Sequence, residues 1–368
     1  MRAAVLRSTS QRFEVVDDLV VGEPGPGEVL VRVHHSGICH SDLTVVEMGH
    51  WHPIVLGHEA AGRIVAVGPG VTGLAIDQPV VIAPLAPCGS CSACDQQRGT
   101  ECLEALGFMS HLRPDGTSPL SHEGAPVFRG LGVGGFSELT VVSALAVAPV
   151  PDEMPLHLAC LLGCAVQTGV GAVLNTAEVE PDSTVLVVGG GGVGQAVVQG
   201  ARIAGARQII LSDPLAERRE QGLTLGATVT IDPTTEDLAA RVLELTAGHG
   251  VDYAFEAVGQ AALVQDAIAA CAVGGTTVMV GAPPVEQAIT IDAAVLFMTL
   301  QKRLVGSVLG HCWPQRDIPR LAALWQNGEL MLEEMVSCRL DLNDINEGFD
   351  RLRSGQGIRT VVDVATRA

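Results

Sequence analysis

Cys88, Cys91, Cys94 and Cys102 crowd into one polar stretch, Cys-Gly-Ser-Cys-Ser-Ala-Cys-Asp-Gln-Gln-Arg-Gly-Thr-Glu-Cys, that suits neither a packed helix nor a strand. Four thiolates at this spacing can close a tetrahedral zinc shell, and a shell with no open position is structural. The alternative, four unrelated thiols in a loop, goes against the rarity of exposed clustered cysteines. Cys39, His58 and Cys164 form a second candidate set. Taken singly, each is more often a core residue than a ligand, but their neighbours change that reading. Cys39-His-Ser-Asp42 follows a predicted strand and turn, Gly57-His-Glu59 opens the next strand, and Gly163-Cys164 lies where one domain hands over to another. Two thiolates and an imidazole leave one tetrahedral position for water or an alcohol, which distinguishes a catalytic zinc from a structural one. Zinc held there would lower the pKa of a bound alcohol and stabilise the alkoxide from which hydride leaves.

A third constellation is a run of glycines. Gly189, Gly190, Gly191, Gly192, Val193 and Gly194 stand between the apolar strand Val185-Leu-Val-Val and an amphipathic helix. In that context Gly189-x-Gly191-x-x-Gly194 reads as a dinucleotide-binding turn, because glycine permits the sharp bend and lets a pyrophosphate approach the helix N-terminus. Asp213 ends the next strand, Ile209-Ile-Leu-Ser-Asp, where a carboxylate can accept hydrogen bonds from an adenosine ribose. A carboxylate there repels a 2′-phosphate, which favours NAD over NADP.

These groups need two scaffolds, and 368 residues are more than one ordinary core holds. Up to about residue 150 the chain reads as short strands between Gly/Pro turns, at 3–6, 14–20, 28–36, 60–67, 79–82, 136–142 and 146–149, a barrel-like β domain. From about Ala165 apolar strands at 184–188, 208–211, 228–231, 253–256 and 276–280 alternate with helices at 192–204, 217–225, 235–246 and 260–270. That alternation predicts a parallel sheet with crossover helices. After about Val308 the pattern is mixed, with helices at 318–327 and 345–353 and a strand at 359–364. The formal charge of −19, from 22 basic and 41 acidic side chains, argues against nucleic acid and anionic membrane surfaces as partners. No apolar run is long enough to cross a bilayer. Ten cysteines without a disulfide-like framework or a signal-peptide pattern point to the cytoplasm. Cys160, Cys271, Cys312 and Cys338 lie in apolar surroundings and are expected as buried small hydrophobes.

The chain resembles the zinc-containing medium-chain alcohol dehydrogenases over essentially its whole length. Gly57-His-Glu-Ala-Ala-Gly62, continuing through Gly68 to Val71, matches that family's zinc signature, and the four-cysteine spacing matches its structural lobe. The resemblance implies an α/β protein: a GroES-like β-barrel catalytic domain at 1–165 and 309–368, and a Rossmann doubly wound parallel-sheet domain at 166–308 that binds NAD. It implies two zinc ions, a catalytic one on Cys39, His58 and Cys164 and a structural one on the cysteine lobe. Asp42 would orient His58, and Glu59 would stand near the metal. His40 and Arg359 resemble pyrophosphate contacts, Thr168 and Val193 match positions lining the nicotinamide, and Arg218 resembles the basic residue beside the ribose. Members commonly pair their Rossmann sheets edge to edge, which implies a homo-oligomer, a dimer rather than a tetramer, through 276–308.

Ser41 stands where the family has the hydroxyl that takes the substrate proton. Many members end that relay with a histidine five residues after the first zinc ligand, but here the position is Thr44, which cannot act as a base near neutral pH. The expected relay therefore runs from Ser41 through the cofactor ribose to water, His50 or His52. By analogy with the family, Pro84, Leu85, Trp51, Phe136 and Leu309 are candidates for pocket walls or equally for core residues, and as walls they suggest an apolar cleft for a primary or aromatic alcohol. The long segment at 103–135 resembles the extended form found in thiol-dependent formaldehyde dehydrogenases, so oxidation of a hydroxymethyl-thiol adduct is the alternative. A permanently bound NAD recycled by an external acceptor and a non-catalytic zinc- or NAD-binding redox sensor are further alternatives, the last opposed by the intact Cys39, His58, Cys164 and Ser41.

Overall fold

Strand Glu28–Ile38 organises the first half of the protein because its side chains alternate in the strand period: Val29, Val31 and Val33 are fully buried while Arg32 points to solvent. On one side it pairs antiparallel with Glu59–Val67; on the other its first residues pair with Leu139–Ser143 and its last with Arg359–Asp363. The sheet continues through Pro79–Ile82 to Val147–Pro149 at one end and to Val336–Asp341 at the other. A second sheet runs Glu14–Val16, Ala3–Leu6, Ile54–Val55, Ala125–Arg129, Leu120–His122, Val20–Val21. The computed structural model describes residues 1–8, 12–291 and 294–365, and the side chains of all of these but 106–108.

Two compact units divide the chain, Met1–Cys164 with Cys312–Ala368, and Ala165–His311. The first carries both sheets above, a GroES-like arrangement. Its core includes an aromatic cluster in which Phe13 lies 4.7 Å from Phe349 and 6.3 Å from Phe136, centroid to centroid. Phe136, a candidate for either a pocket wall or the core, is a fully buried core residue.

The second unit is a Rossmann-like sheet of six parallel strands ordered Val229–Ile231, Gln208–Ser212, Thr184–Val188, Val251–Glu256, Cys271–Met279, Arg303–Gly306. Thr184–Val188 is buried along its whole length, as a strand covered on both faces must be. The strand order reverses between it and Val251–Glu256, and the carboxyl ends of strands at such a switch point are where open α/β sheets bind ligands.

Several elements depart from expectation. The strand expected at 14–20 is interrupted at Asp17 and Asp18 and becomes Glu14–Val16 and Val20–Val21. Helices His40–Met48 and Ala165–Gly171 and strand Val336–Asp341 were not anticipated. Cys160, Cys271 and Cys312 are buried, but Cys338 is only half-buried, because Val336–Asp341 alternates half-buried with exposed positions and has no fully buried face.

Candidate metal centres and dinucleotide turn

Cys39 follows the last residue of the central strand and caps helix His40–Met48. The Asp42 carboxylate, one turn along, accepts the Cys39 N–H at 3.3 Å, and the helix stops at Gly49 in the left-handed conformation. Asp42 is fully buried, and its Oδ1 also accepts the Gly57 N–H at 3.0 Å and faces His58 Nδ1 at 3.0 Å. Gly57 has φ +89°, and a Cβ there would lie 2.8 Å from Phe136, so the turn that presents His58 requires glycine. With Nδ1 committed to Asp42, His58 Nε2 is a buried nitrogen with no hydrogen-bond partner.

The ligand atoms of Cys39, His58, Glu59 and Cys164 all lie within 4.8 Å of one another, and all four residues are buried. Two thiols, an imidazole with an unclaimed nitrogen and a carboxylate that fixes its tautomer form a donor set that fits zinc. Cys164 arrives from the short helical turn Cys160–Gly163, where a Cβ on Gly163 would come within 2.6 Å of the Ile82 carbonyl. Glu59 opens strand Glu59–Val67 directly across from Gly37, and a Cβ at Gly37 would overlap its carboxylate. The absent side chain at position 37 is what gives Glu59 room beside the cluster; composition alone could not flag it.

Charge is balanced locally. Arg359, buried, lies 3.4 Å from Glu59 Oε1 and donates to the Ile38 carbonyl at 2.9 Å. Burial pushes Glu59 up to about 7, against the opposing pull of Arg359. The Cys39 thiol is held well below its ordinary range, first by a hydrogen bond from Cys164 and then by His58, while donation of that bond and burial push Cys164 up. Burial alone would lower His58, yet Asp42 and Cys39 hold it well above the usual histidine value. Of the two sulfurs, that of Cys39 is thus the one predisposed to be negative before any ion enters.

Ser41 is exposed on the first turn of the same helix, its Oγ 4.0 Å from Cys39 Sγ. His40 is also exposed, and Thr44 spends its hydroxyl on the His40 carbonyl at 3.0 Å. Of the two histidines considered as terminal bases, His50 is exposed and His52 turns Nδ1 toward the Leu6 carbonyl at 3.4 Å.

In the cysteine lobe a single helical turn, Ser92–Asp95, lies between the second and fourth thiols. The sulfurs of Cys88, Cys91, Cys94 and Cys102 lie within 4.8 Å of one another, with Cys88–Cys94 at 3.8 Å and Cys91–Cys94 at 3.6 Å. A tetrahedron with zinc–sulfur bonds of ~2.3 Å has edges of ~3.8 Å, so these spacings suit one ion. Backbone N–H groups point at sulfur, Gly89 to Cys94 at 3.3 Å and Cys88 to Cys102 at 3.4 Å, which favours thiolate. Ser90 draws Cys88 down to about 6, whereas burial pushes Cys94 up to about 12.

In the second unit the strand Thr184–Val188 leads into Gly189, at φ +97°, and helix Gly192–Ile203 starts with Gly191 as its cap. A Cβ at Gly194 would overlap the Gly189 carbonyl, whereas one at Gly191 would meet nothing within 4 Å, so only the latter faces open space. Asp213, buried, accepts the Gly190 N–H at 2.7 Å and the Leu215 N–H at 2.8 Å, and Arg218 lies 3.7 Å from its carboxylate. Val193 is half-buried on the first turn of the helix. Thr168, in helix Ala165–Gly171, is buried and its hydroxyl has no hydrogen-bond partner. Arg359, expected at the pyrophosphate, has both contacts described above inside the first unit.

Residues 25–152 match the family described as "Alcohol dehydrogenase GroES-like domain" and residues 192–327 that described as "Zinc-binding dehydrogenase". The chain belongs to the zinc-containing medium-chain dehydrogenase/reductase family. Within it, this is an alcohol dehydrogenase, an oxidoreductase acting on CH–OH groups. It is 38% identical over 366 residues to an NDMA-dependent alcohol dehydrogenase of Amycolatopsis methanolica, covering 98% of each chain. It is 35% identical to an S-(hydroxymethyl)glutathione dehydrogenase of Synechocystis, covering 98% of this chain and 99% of that one. The crystal structure of a benzyl alcohol dehydrogenase from Acinetobacter calcoaceticus superposes with a TM-score of 0.93 at 30% identity, covering 99% of both chains.

Proposed function

We propose that this alcohol dehydrogenase carries two zinc ions, uses NAD and oxidises primary or aromatic alcohols reversibly to aldehydes (or ketones). The observation that carries the reading is the buried, partnerless His58 Nε2 among the Cys39 and Cys164 sulfurs. When bound, zinc supplies Lewis acidity toward the hydroxyl and NAD accepts the hydride. Cys39, His58 and Cys164 hold the metal. Asp42 keeps the imidazole proton on Nδ1 so that the Nε2 lone pair stays available. Ser41 Oγ takes the hydroxyl proton and, with Thr44 unable to act as a base, hands it to solvent. Glu59 and Arg359 offset the charge that the thiolates bring into a buried site. Asp213 receives the ribose with Arg218 beside it, His40 favours the pyrophosphate, and Gly189, Gly191, Gly192, Val193, Gly194 and Thr168 shape the cofactor site. Cys88, Cys91, Cys94 and Cys102 hold a structural ion.

The similarity to a benzyl alcohol dehydrogenase supports an aromatic alcohol as substrate. Pairing of chains through 276–308 is supported by the edge strand Arg303–Gly306 and by exposed Val285, Val295, Leu296 and Met298. Ten free cysteines support a reducing, cytoplasmic setting. The test is nicotinamide absorbance with an alcohol and aldehyde panel, NAD against NADP. Turnover of benzyl or short primary alcohols with NAD supports the reading; no reduction of NAD by any alcohol would sink it. The S-(hydroxymethyl)glutathione dehydrogenase likeness favours one second reading, and turnover of formaldehyde only with glutathione or mycothiol present would establish it instead.

A further inference from the structure

Gln195 is fully buried on the first turn of helix Gly192–Ile203, one residue past the last glycine of the turn, and nothing in its residue type marks it for cofactor chemistry. Its side-chain amide nitrogen donates twice, to the Gly190 carbonyl at 3.1 Å and to the Arg218 carbonyl at 2.8 Å. Its Oε1 is buried without a hydrogen-bond partner. Leucine or methionine would fill such a helix face without stranding an oxygen, so the two donated bonds are the property that glutamine brings.

Those bonds close a ring. The Gly190 N–H is held by Asp213 at 2.7 Å, Asp213 accepts the Leu215 N–H at 2.8 Å, and Arg218, three residues on, is tied back to Gly190 through Gln195. Both polar groups of Gly190 are therefore fixed. In a planar trans peptide the C=O of one residue and the N–H of the next point in opposite directions. Holding the Gly190 carbonyl on Gln195 thus aims the Gly191 N–H the other way, on the one glycine of the fingerprint whose Cβ position is open space. An outward N–H at a helix N-terminus suits a pyrophosphate oxygen.

We propose that Gln195 is a positioning residue of the dinucleotide site: it locks the Gly190–Gly191 peptide against flipping and fixes it relative to the arm that carries Asp213 and Arg218. The proposal rests on the reading that this turn binds NAD. The test is NADH titration by fluorescence and steady-state kinetics of zinc-loaded Gln195→Met, which keeps length and shape but cannot donate. The Kd for NADH, the KM for NAD and the Kd for ADP-ribose should rise together by roughly tenfold, while kcat at saturating NAD and the KM for alcohol stay within about twofold. A folded variant that binds NADH as tightly as the wild type, or that loses only kcat, overturns the assignment to Gln195 alone. Failure of the wild type to bind NADH overturns the NAD reading with it. Should the variant not fold, a crystal of the wild type with NADH decides: the Gly190 carbonyl on Gln195 and the Gly191 N–H on a pyrophosphate oxygen support the proposal, and a flipped peptide refutes it.

Discussion

The two thiol clusters of the first unit differ in what surrounds the sulfur. In the lobe all four donors are alike, two of them only half-buried, and backbone N–H groups face the sulfurs. Around Cys39 the donors are mixed and fully buried, a carboxylate orients the imidazole, and an arginine faces a fourth, carboxylate donor. A shell of four equivalent thiolates leaves a metal nothing to exchange, whereas a shell of unlike donors in which one is already paired elsewhere leaves a position to open. On the reading proposed above, an ion in the first arrangement would stiffen a loop and one in the second would do chemistry.

The sharpest way to break this contrast is to remove one ligand from each cluster. Cys164→Ala should lower kcat/KM by about a thousandfold or more, with zinc content falling by one ion and the melting temperature little changed; activity within tenfold of wild type would erase the distinction. Cys94→Ser should do the reverse, lowering stability by several kcal/mol, on the order of a lost structural ion, while kcat of the folded fraction at low temperature stays within about threefold. Thermal melts paired with active-site-normalised turnover separate the two outcomes.

A smaller effect sharpens the role of the orienting carboxylate. Asp42→Asn should weaken zinc at the buried cluster by about 10- to 100-fold and leave the lobe ion untouched, as read by chelator competition with two resolved phases. A single phase shifted for both ions would mean that Asp42 acts on folding alone.

The smallest expected effect comes from contrasting two buried histidines. His58 is raised by its carboxylate, whereas His111, buried with Trp51 against it and its Nδ1 accepting the Leu131 N–H at 2.9 Å, is pushed down to about 4 by burial. Below the ordinary histidine value of 6.5 the unfolded chain binds a proton at this position that the folded chain refuses until about 4. The stability from a neutral His111 is therefore present above 6.5 and lost as pH falls toward 4. The shift is worth up to roughly 3 kcal/mol. His111→Gln should flatten the pH dependence of denaturant stability between these limits, and an unchanged slope would remove His111 from the account.

Much of the fold is legible in the sequence. Pro79–Ile82, Thr184–Val188 and Ile345–Arg353 fall at their anticipated bounds because continuous apolar runs or strong amphipathic periods flanked by Gly, Pro or Asp specify them locally. Helix His40–Met48 was hidden, since Cys-His-Ser-Asp carries little apolar periodicity; its signals were Asp42 three residues past the cap and Gly49 at its end. Helix Ala165–Gly171 was obscured by glycines that weaken helix propensity, and Ile54–Val55 and Leu120–His122 are too short to leave a pattern. At the buried cluster the residue types of the ligands could be read, but the pairing of Arg359 with Glu59 joins positions far apart in the chain, and the space at Gly37 exists only once two strands are in register. Gln195 was overlooked for the same reason, because its value lies in two backbone carbonyls and not in its own residue type.

The central claim is that Cys39, His58 and Cys164 share one catalytic ion distinct from that of the lobe. Anomalous diffraction at the zinc edge from crystals grown without chelator tests it most directly. Two peaks per chain are predicted, one between His58 Nε2 and the sulfurs of Cys39 and Cys164 and one among the four lobe sulfurs. A single peak in the lobe, with the buried cluster empty after zinc supplementation in a catalytically active preparation, would contradict it.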